Sequence, residues 1–145
     1  AVLEGPHIVY CDKVSPLGET IPRSFRMRQD AHSTAIGKAM LAFKSFEELK
    51  EIYKSYTLYK HTDNTITTLD NLIKDLSKVR KNGYSLNEAE TFDYVYGIGA
   101  PIVDSQNRAI AAISLSGTKS TINIQNTPKL ASRTILTAGL ICAPL

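Results

Sequence analysis

The sequence predicts an α+β domain in which about six strands form an antiparallel sheet and four helices pack on it. Strand-like segments follow one another across short turns, which favours hairpins over a parallel sheet. Helical segments of 3.6-residue periodicity lie in the middle and at the end of the chain. The 145 residues show no internal repeat, low-complexity segment or linker. Residues 1–145 are therefore interpreted as one domain.

The first strands are predicted around the Gly5-Pro6 turn, where AVLE and HIVYCDKV form a hairpin. The segment SFRMRQ alternates between apolar and polar residues, with Phe25 and Met27 on one face. This pattern is typical of a third strand. The chain opens without Met and in strand-like sequence. We therefore expect it to be part of a longer polypeptide.

Two helices are predicted in the middle of the first half. The first spans about 34–43, and Ser33 or Thr34 caps it. The second begins at a capping box, in which Ser45 precedes Glu48 by three residues. Residues 57–67 are polar and rich in Thr, which indicates a surface loop. The apolar residues that the second helix is expected to bury are Phe46, Leu49, Ile52, Tyr53 and Tyr56.

The clearest helix in the sequence is TLDNLIKDLSKVRKNG. Its apolar residues repeat every 3.6 positions, and Gly83 can take the left-handed conformation that ends a helix. The segments YSL, VYGIGAPIVD and AIAAISLSG follow as predicted strands, with a turn at SQNR between the last two. A final helix is predicted over about 128–142.

The composition is that of a globular protein, with 43% hydrophobic and 21% charged residues. The net charge is only +3, and basic residues alternate with acidic ones, which argues against DNA binding by this chain alone. Cys11 and Cys142 are far apart and are interpreted as buried thiols of a reducing, cytoplasmic compartment. The apolar tail ILTAGLICAPL is too short to span a membrane.

The stretch HSTAIGKAMLA carries a Gly-Lys pair at the start of a helix, which suggests a phosphate-binding loop. Such a loop requires a hydroxyl residue after the lysine and a glycine five positions before the second glycine. Ala39 and His32 occupy these positions, so nucleotide hydrolysis is not predicted, and Lys38 is expected to face solvent. The first-turn amides suit an anion such as a carboxylate. Alternatively, the hydroxyl cap alone satisfies the helix.

Catalytic and metal sites have weaker support in the sequence. The three histidines His7, His32 and His61 are dispersed, so no metal site is predicted, and no cofactor is implied. No nucleophile has an adjacent base in a known motif, so the chain is not predicted to be an enzyme. The carboxylates of Glu88, Glu90 and Asp93 are either an acid–base set or a solvated loop, and we favour the loop.

The last two predicted strands carry an unusual pattern. Period two places Ser114 and Ser116 on one face of their strand, and Gly97 and Gly99 on one face of the other. Glycine inside a strand often marks the close approach of a ligand or of another backbone. The pattern therefore indicates either a small polar pocket beside the helix N-terminus, or a bulge and tight packing.

Five motifs occur in the order HSTAIGKAMLA, KNGYS, NEAE, YGIGAPIVD and AIAAISLSG. Together they resemble the C-terminal effector-binding domain of the IclR family of bacterial transcriptional regulators, over nearly all of residues 1–143. The resemblance implies a GAF-like fold and a homodimer or homotetramer. It also implies that DNA is bound only through an N-terminal winged helix-turn-helix domain that is absent from this chain.

The resemblance further implies that the pocket binds a small organic acid that modulates DNA binding. An oligomerisation domain without effector, or an enzyme that uses the same pocket, are the alternatives. The positions implied or inferred for effector binding are Ser33, Thr34, Ala35, Ile36, Asn87, Gly97, Ile98, Ser114 and Ser116.

Overall fold

The N-terminal segment forms a three-stranded antiparallel sheet in the computed structural model, which describes residues 1–15 and 26–141. Strands β1 (Val2–Glu4) and β2 (His7–Val9) form the predicted hairpin, and Gly5 has a φ of 58° in its turn. Strand β3 (Arg28–Asp30) pairs with β2 and places Asp30 opposite His7. The predicted third strand therefore starts later than expected, and its residues 24 and 25 lie outside the described residues.

The second sheet is also antiparallel and contains the predicted late strands. Strands β4 (Ser85–Glu88), β5 (Tyr96–Val103) and β6 (Ala109–Gly117) are arranged in that order. The two sheets meet at Ala1, whose ammonium group donates to the carbonyl oxygen of Ala112 while the Ala112 amide donates to the Ala1 carbonyl oxygen. The six strands and the α+β class are confirmed, but the strands form two three-stranded sheets rather than the single predicted sheet.

Four helices complete the described fold, as predicted. They are α1 (Ala35–Leu41), α2 (Phe46–Tyr53), α3 (Leu69–Asn82) and α4 (Thr127–Ile141). The capping box of α2 is present, and Gly83 ends α3 with a φ of 78°. Cys142 lies outside the described residues. Over the described part of the chain, no helix combines the length and apolar character that crossing a membrane requires.

Helices α1 and α4 cover opposite faces of the second sheet. The main core lies around α1 and α3, where Met40, Leu41, Leu72 and Leu76 are almost fully buried. On the other sheet face, side chains of β5 pack against α4 in two smaller clusters. Because successive side chains of a strand point to opposite faces, each residue of β5 is assigned to one helix or the other.

Lys38 is buried, which contradicts the expectation that it faces solvent. Its side chain is only 2% exposed, and its ammonium nitrogen lies 2.9 Å from Asp75 Oδ2 and 2.7 Å from Glu90 Oε1. All seven residues of α1 are buried, so no face of this helix is open to water. The solvated-loop interpretation was likewise wrong for Glu90, which is buried, whereas Glu88 and Asp93 are exposed.

Two smaller expectations were also wrong. Phe46 is 53% exposed rather than buried, and the ammonium nitrogen of Lys50 lies 4.9 Å from its ring centroid. Cys11 is an exposed free thiol, because the chain leaves β2 at Val9. The segment 57–67 has no helix or strand, as expected, but it buries Leu58, Thr62 and Thr65 and is therefore packed rather than loose.

Candidate functional site

The register of β4, β5 and β6 places the predicted serines and glycines in two rows across one sheet face. Asn87 pairs with Gly97, and Gly97 pairs with Ser116. In the neighbouring row, Ser85 pairs with Gly99, and Gly99 pairs with Ser114. The period-two interpretation of these strands thus placed the two serines together and the two glycines together correctly.

The two glycines allow the start of α1 to lie directly on this sheet face. A Cβ atom at Gly99 would lie 2.5 Å from the carbonyl oxygen of Ala35, which is closer than any side chain tolerates. The Ser85 hydroxyl donates to the same carbonyl oxygen at 2.5 Å. At Gly97 a Cβ atom would lie 3.3 Å from the Ala35 Cβ atom. Gly99 therefore allows α1 to pack tightly on the sheet. Gly97 allows the same packing and also leaves space beside it.

A cavity of about 420 Å³ opens where α1 begins, next to these rows. This volume lies within the range of about 300–1,000 Å³ that is typical of small-molecule sites. Seven of the nine predicted site residues contribute to its wall. They are Thr34, Ala35, Ile36, Asn87, Gly97, Ser114 and Ser116.

The helix start in the cavity wall is capped by Thr34, not by Ser33. The Thr34 hydroxyl oxygen accepts from the Gly37 amide at 3.1 Å. The amides of Ala35 and Ile36 also belong to the first turn, where no carbonyl of the same helix is available as acceptor. The cavity therefore borders a donor-rich and electropositive helix end.

Ser33 and Ile98 do not belong to the cavity wall, and both were predicted as site residues. Ser33 is fully buried, and its hydroxyl donates to the Asp30 carbonyl oxygen at 3.3 Å. Ile98 points to the opposite sheet face, where it packs with Ile122 and Ala131. It lies between Gly97 and Gly99, so the strand alternation that brings their face to the cavity turns Ile98 towards α4.

The hydrogen-bonding capacity of the wall is only partly used within the protein. Asn87 Oδ1 accepts from the Glu90 amide at 2.8 Å, while its Nδ2 makes only a long 3.4 Å contact to Thr91 Oγ1. In the described part of the chain, the hydroxyls of Ser114 and Ser116 make no hydrogen bond. These groups are available to a ligand.

The sequence interpretation missed several residues of the wall. Lys13 follows β2 and is the one cationic side chain in the described wall of the cavity. Phe92 and Tyr94 stack with ring centroids 5.9 Å apart and are exposed. These residues lie in irregular segments, whose path depends on tertiary packing, so no periodicity in the sequence could have located them.

Residues 1–143 match the family model described as bacterial transcriptional regulator IclR C-terminal. The chain belongs to the IclR family. This IclR domain is 34% identical over 118 residues to the HTH-type transcriptional regulator BhcR of Paracoccus denitrificans, a match that covers 80% of the chain and 42% of BhcR. The domain thus spans less than half of the length of that relative.

Solved structures share the fold of this IclR domain. The IclR of Thermotoga maritima superposes with a TM-score of 0.82 at 34% identity, over 96% of this chain and 56% of that one. The inducer-binding domain of PobR from Acinetobacter, solved as a double mutant with 3-hydroxybenzoic acid, superposes with a TM-score of 0.81. At 24% identity, over 98% of this chain and 85% of that one, the second likeness concerns the fold alone.

Proposed function

We propose that this IclR domain is the small-molecule sensor of a transcriptional regulator, and that the cavity at the start of α1 binds a small organic acid. The observation that carries the proposal is the convergence of donors in one cavity. The first turn of α1, Ser114, Ser116 and Lys13 all contribute to its wall, and each carries hydrogen-bond donors. The PobR domain, which has the same fold, holds 3-hydroxybenzoic acid.

These groups match the two ends of an organic acid. A carboxylate accepts hydrogen bonds from hydroxyls and amides and is attracted by a helix N-terminus and by an ammonium group. Asn87 is neutral and can donate from Nδ2, so it does not repel an anion. Phe92 and Tyr94 offer aromatic surface to the hydrocarbon part of the acid.

DNA binding is assigned in this proposal to a winged helix-turn-helix domain outside residues 1–145, in a cytoplasmic protein. In such a regulator, the sensor domain would act on DNA binding by changing how two or more copies of the protein are arranged. Helix α4 supports self-association into a homodimer or homotetramer, because it exposes Leu136, Leu140 and Ile141. The same exposed surface favours the alternative, which is an oligomerisation domain without effector.

A thermal-shift screen tests the proposal. The chain is heated with mono- and dicarboxylates, keto acids, sugar acids and aromatic acids, and each acid that stabilises it is titrated and assayed for turnover. A ligand at a hundred times its Kd adds about 2.7 kcal/mol to the free energy of unfolding. Saturable stabilisation without turnover supports the sensor. Turnover indicates an enzyme, and no response to any acid favours the oligomerisation domain.

A further inference from the structure

The three histidines that look dispersed in the sequence converge on one carboxylate. Asp30 ends β3, His32 lies in the 3-10 turn that follows, and His61 belongs to the loop before α3. One potential ligand atom from each of Asp30, His32 and His61 lies within 4.8 Å of the other two. The interpretation of the three histidines as unrelated residues was wrong, because the loop that carries His61 folds back over the end of β3.

His32 presents a buried nitrogen with no partner. The side chain is fully buried, and its Nε2 lies 3.1 Å from the carbonyl oxygen of Tyr59. Because a carbonyl oxygen only accepts, Nε2 carries the proton and Nδ1 keeps its lone pair. Among the described residues, Nδ1 of His32 has no hydrogen-bond partner. A buried lone pair without a donor is rare in proteins, and this one can accept a hydrogen bond or bind a metal ion.

The neighbours of the cluster hold it in the orientation that a metal ion needs. A metal-binding histidine commonly donates its other N–H to a backbone carbonyl, as His32 does to Tyr59. Asp30 Oδ1 accepts from the Tyr56 hydroxyl at 2.5 Å, while Oδ2 lies 2.8 Å from Nε2 of His61. His7 approaches the other side of this carboxylate, with Nε2 3.6 Å from Oδ1, and lies outside the set of three.

We propose that Asp30, His32 and His61 form a binding site for a divalent transition-metal ion of the zinc class. Two imidazoles and one carboxylate suit Zn²⁺ or Co²⁺ and disfavour Mg²⁺ and Ca²⁺, which prefer oxygen ligands. The ion replaces the proton that Asp30 and His61 share. The fourth position is left to water or to another small ligand, since the side chain of His61 is partly exposed.

The distances require only a small adjustment. Metal bonds of about 2.0–2.1 Å in a tetrahedral site place neighbouring ligand atoms about 3.3 Å apart. The Asp30–His61 pair must therefore open slightly from 2.8 Å, and the most distant pair must close from at most 4.8 Å. His61 lies on a loop and can supply this movement. None of the three residues contributes to the wall of the effector cavity, so the two sites are separate.

The test is a titration of the chain with Zn²⁺ and Co²⁺, after removal of bound metals with EDTA and without a polyhistidine tag. We expect calorimetry to show saturable binding of one ion per chain. The Co²⁺ complex should show the intense visible absorption of four-coordinate cobalt rather than the weak bands of the hydrated ion. A titration without saturation, or a Co²⁺ spectrum like that of the free ion, overturns the proposal.

One variant and two controls distinguish the site from adventitious binding. His61→Asn removes one ligand from a partly exposed loop, and we expect a loss in affinity at least as large as the roughly 10- to 100-fold caused by losing an outer-shell partner. The matched control Asp63→Asn changes an exposed carboxylate of the same loop and should bind as the parent does. Cys11→Ser should also bind unchanged, because the exposed thiol is not in the site. Equal binding by His61→Asn and the parent, or loss of binding in Cys11→Ser, overturns the proposal.

Discussion

The ammonium nitrogen of Lys38 lies 2.7 Å from Oε1 of Glu90, and the two charged side chains are only 2% and 7% exposed. Asp75 of α3 lies 2.9 Å from the same nitrogen. One lysine thus connects α1 to α3 and to the segment that follows β4. The cavity at the start of α1 is bordered by α1 and by this segment, so the lysine holds two of its walls in place.

Lys38→Met should strongly destabilise the fold. The substitution leaves Glu90 buried without a cation, and removing one partner of a buried ion pair costs about 3–5 kcal/mol. Urea denaturation at neutral pH measures the loss. Lys44→Met is the control, because it breaks a 3.2 Å pair with the exposed Glu48 and should cost less than about 1 kcal/mol. If the free energy of unfolding fell by the same small amount in both variants, the ion pair between Lys38 and Glu90 would be open to water.

Glu90→Gln should gain stability relative to the parent as the pH rises. Burial raises the pKa of Glu90, and the opposing attraction of Lys38 does not fully offset it. Within the described residues, Oε2 of Glu90 has no hydrogen-bond partner, which explains the incomplete compensation. Asp75, also close to Lys38, adds repulsion that further raises the pKa. The pKa of Glu90 is therefore higher in the folded state than in the unfolded state, so ionisation of Glu90 disfavours folding. The stability that the neutral carboxyl group gives the folded state at low pH is lost as the pH rises.

The measurement is the free energy of unfolding of both proteins between about pH 4 and pH 7, a range that begins near the ordinary pKa of glutamate. Gln imitates the neutral acid. The free energy of unfolding of the variant minus that of the parent should therefore be smallest at the lowest pH and increase as the pH rises. A difference that moves in the opposite direction would mean that attraction by Lys38 outweighs burial.

Gly99→Ala should destabilise the domain, whereas Gly139→Ala should stabilise it. The added Cβ atom at Gly99 meets the Ala35 carbonyl oxygen at 2.5 Å and Ser85 Oγ at 2.7 Å, so α1 must move away from the sheet. Overpacking of this kind costs about 1–3 kcal/mol. Gly139 lies inside α4 with nothing within 4 Å of an added Cβ atom, so alanine should gain about 0.5–1 kcal/mol there. Thermal unfolding of the two variants measures whether each substitution lowers or raises the stability of the domain.

Ser116→Ala should weaken binding of the acid that the screen finds. Losing one hydrogen bond to a charged ligand costs about 1.5–3 kcal/mol, or roughly 10- to 100-fold in affinity. Ser116→Leu should block binding by filling the cavity, and it tests the site better than a change at Gly97, where an added Cβ atom also presses on Ala35. Calorimetric titration compares them with Ser105→Ala, which changes an exposed turn. If both Ser116 variants bind like the parent, the acid binds elsewhere.

Charges on α4 should prevent the proposed self-association through this helix. Leu136 and Leu140 are 65% and 77% exposed and lie one turn apart on this helix. Sedimentation should show self-association of the parent at high micromolar concentration and a monomer for the Leu136→Lys, Leu140→Lys double variant. Phe46→Lys on α2 is the control and should sediment as the parent does. A monomeric parent would remove the support for an α4 interface.

The sequence predicted the elements whose signals are local. Helix α3 has its 3.6-residue period, its Thr68 cap and Gly83 all within the segment itself, and its bounds were close to those observed. The face of Ser114 and Ser116 followed from strand periodicity alone. The binding of an organic acid by these residues stays a prediction.

The features that the sequence did not predict all depend on contacts between distant segments. Lys38 occupies a position on α1 that is indistinguishable from a surface lysine until α3 and the Glu90 segment cover it. His61 reaches Asp30 across 31 residues, through a loop without periodicity. Lys13 enters the cavity wall in the same way, from an irregular segment after β2.

The short turn from Asp30 to Thr34 belongs to both proposed sites, with Asp30 and His32 in the histidine cluster and Thr34 in the cavity wall. The hydroxyls of Ser33 and Thr34 both donate to the Asp30 carbonyl oxygen at 3.3 Å, which braces the turn. Linkage then makes the two occupancies reciprocal: whatever factor zinc imposes on the affinity for the acid, the acid imposes on the affinity for zinc. The braced turn is therefore the element through which binding at one proposed site would alter the affinity of the other.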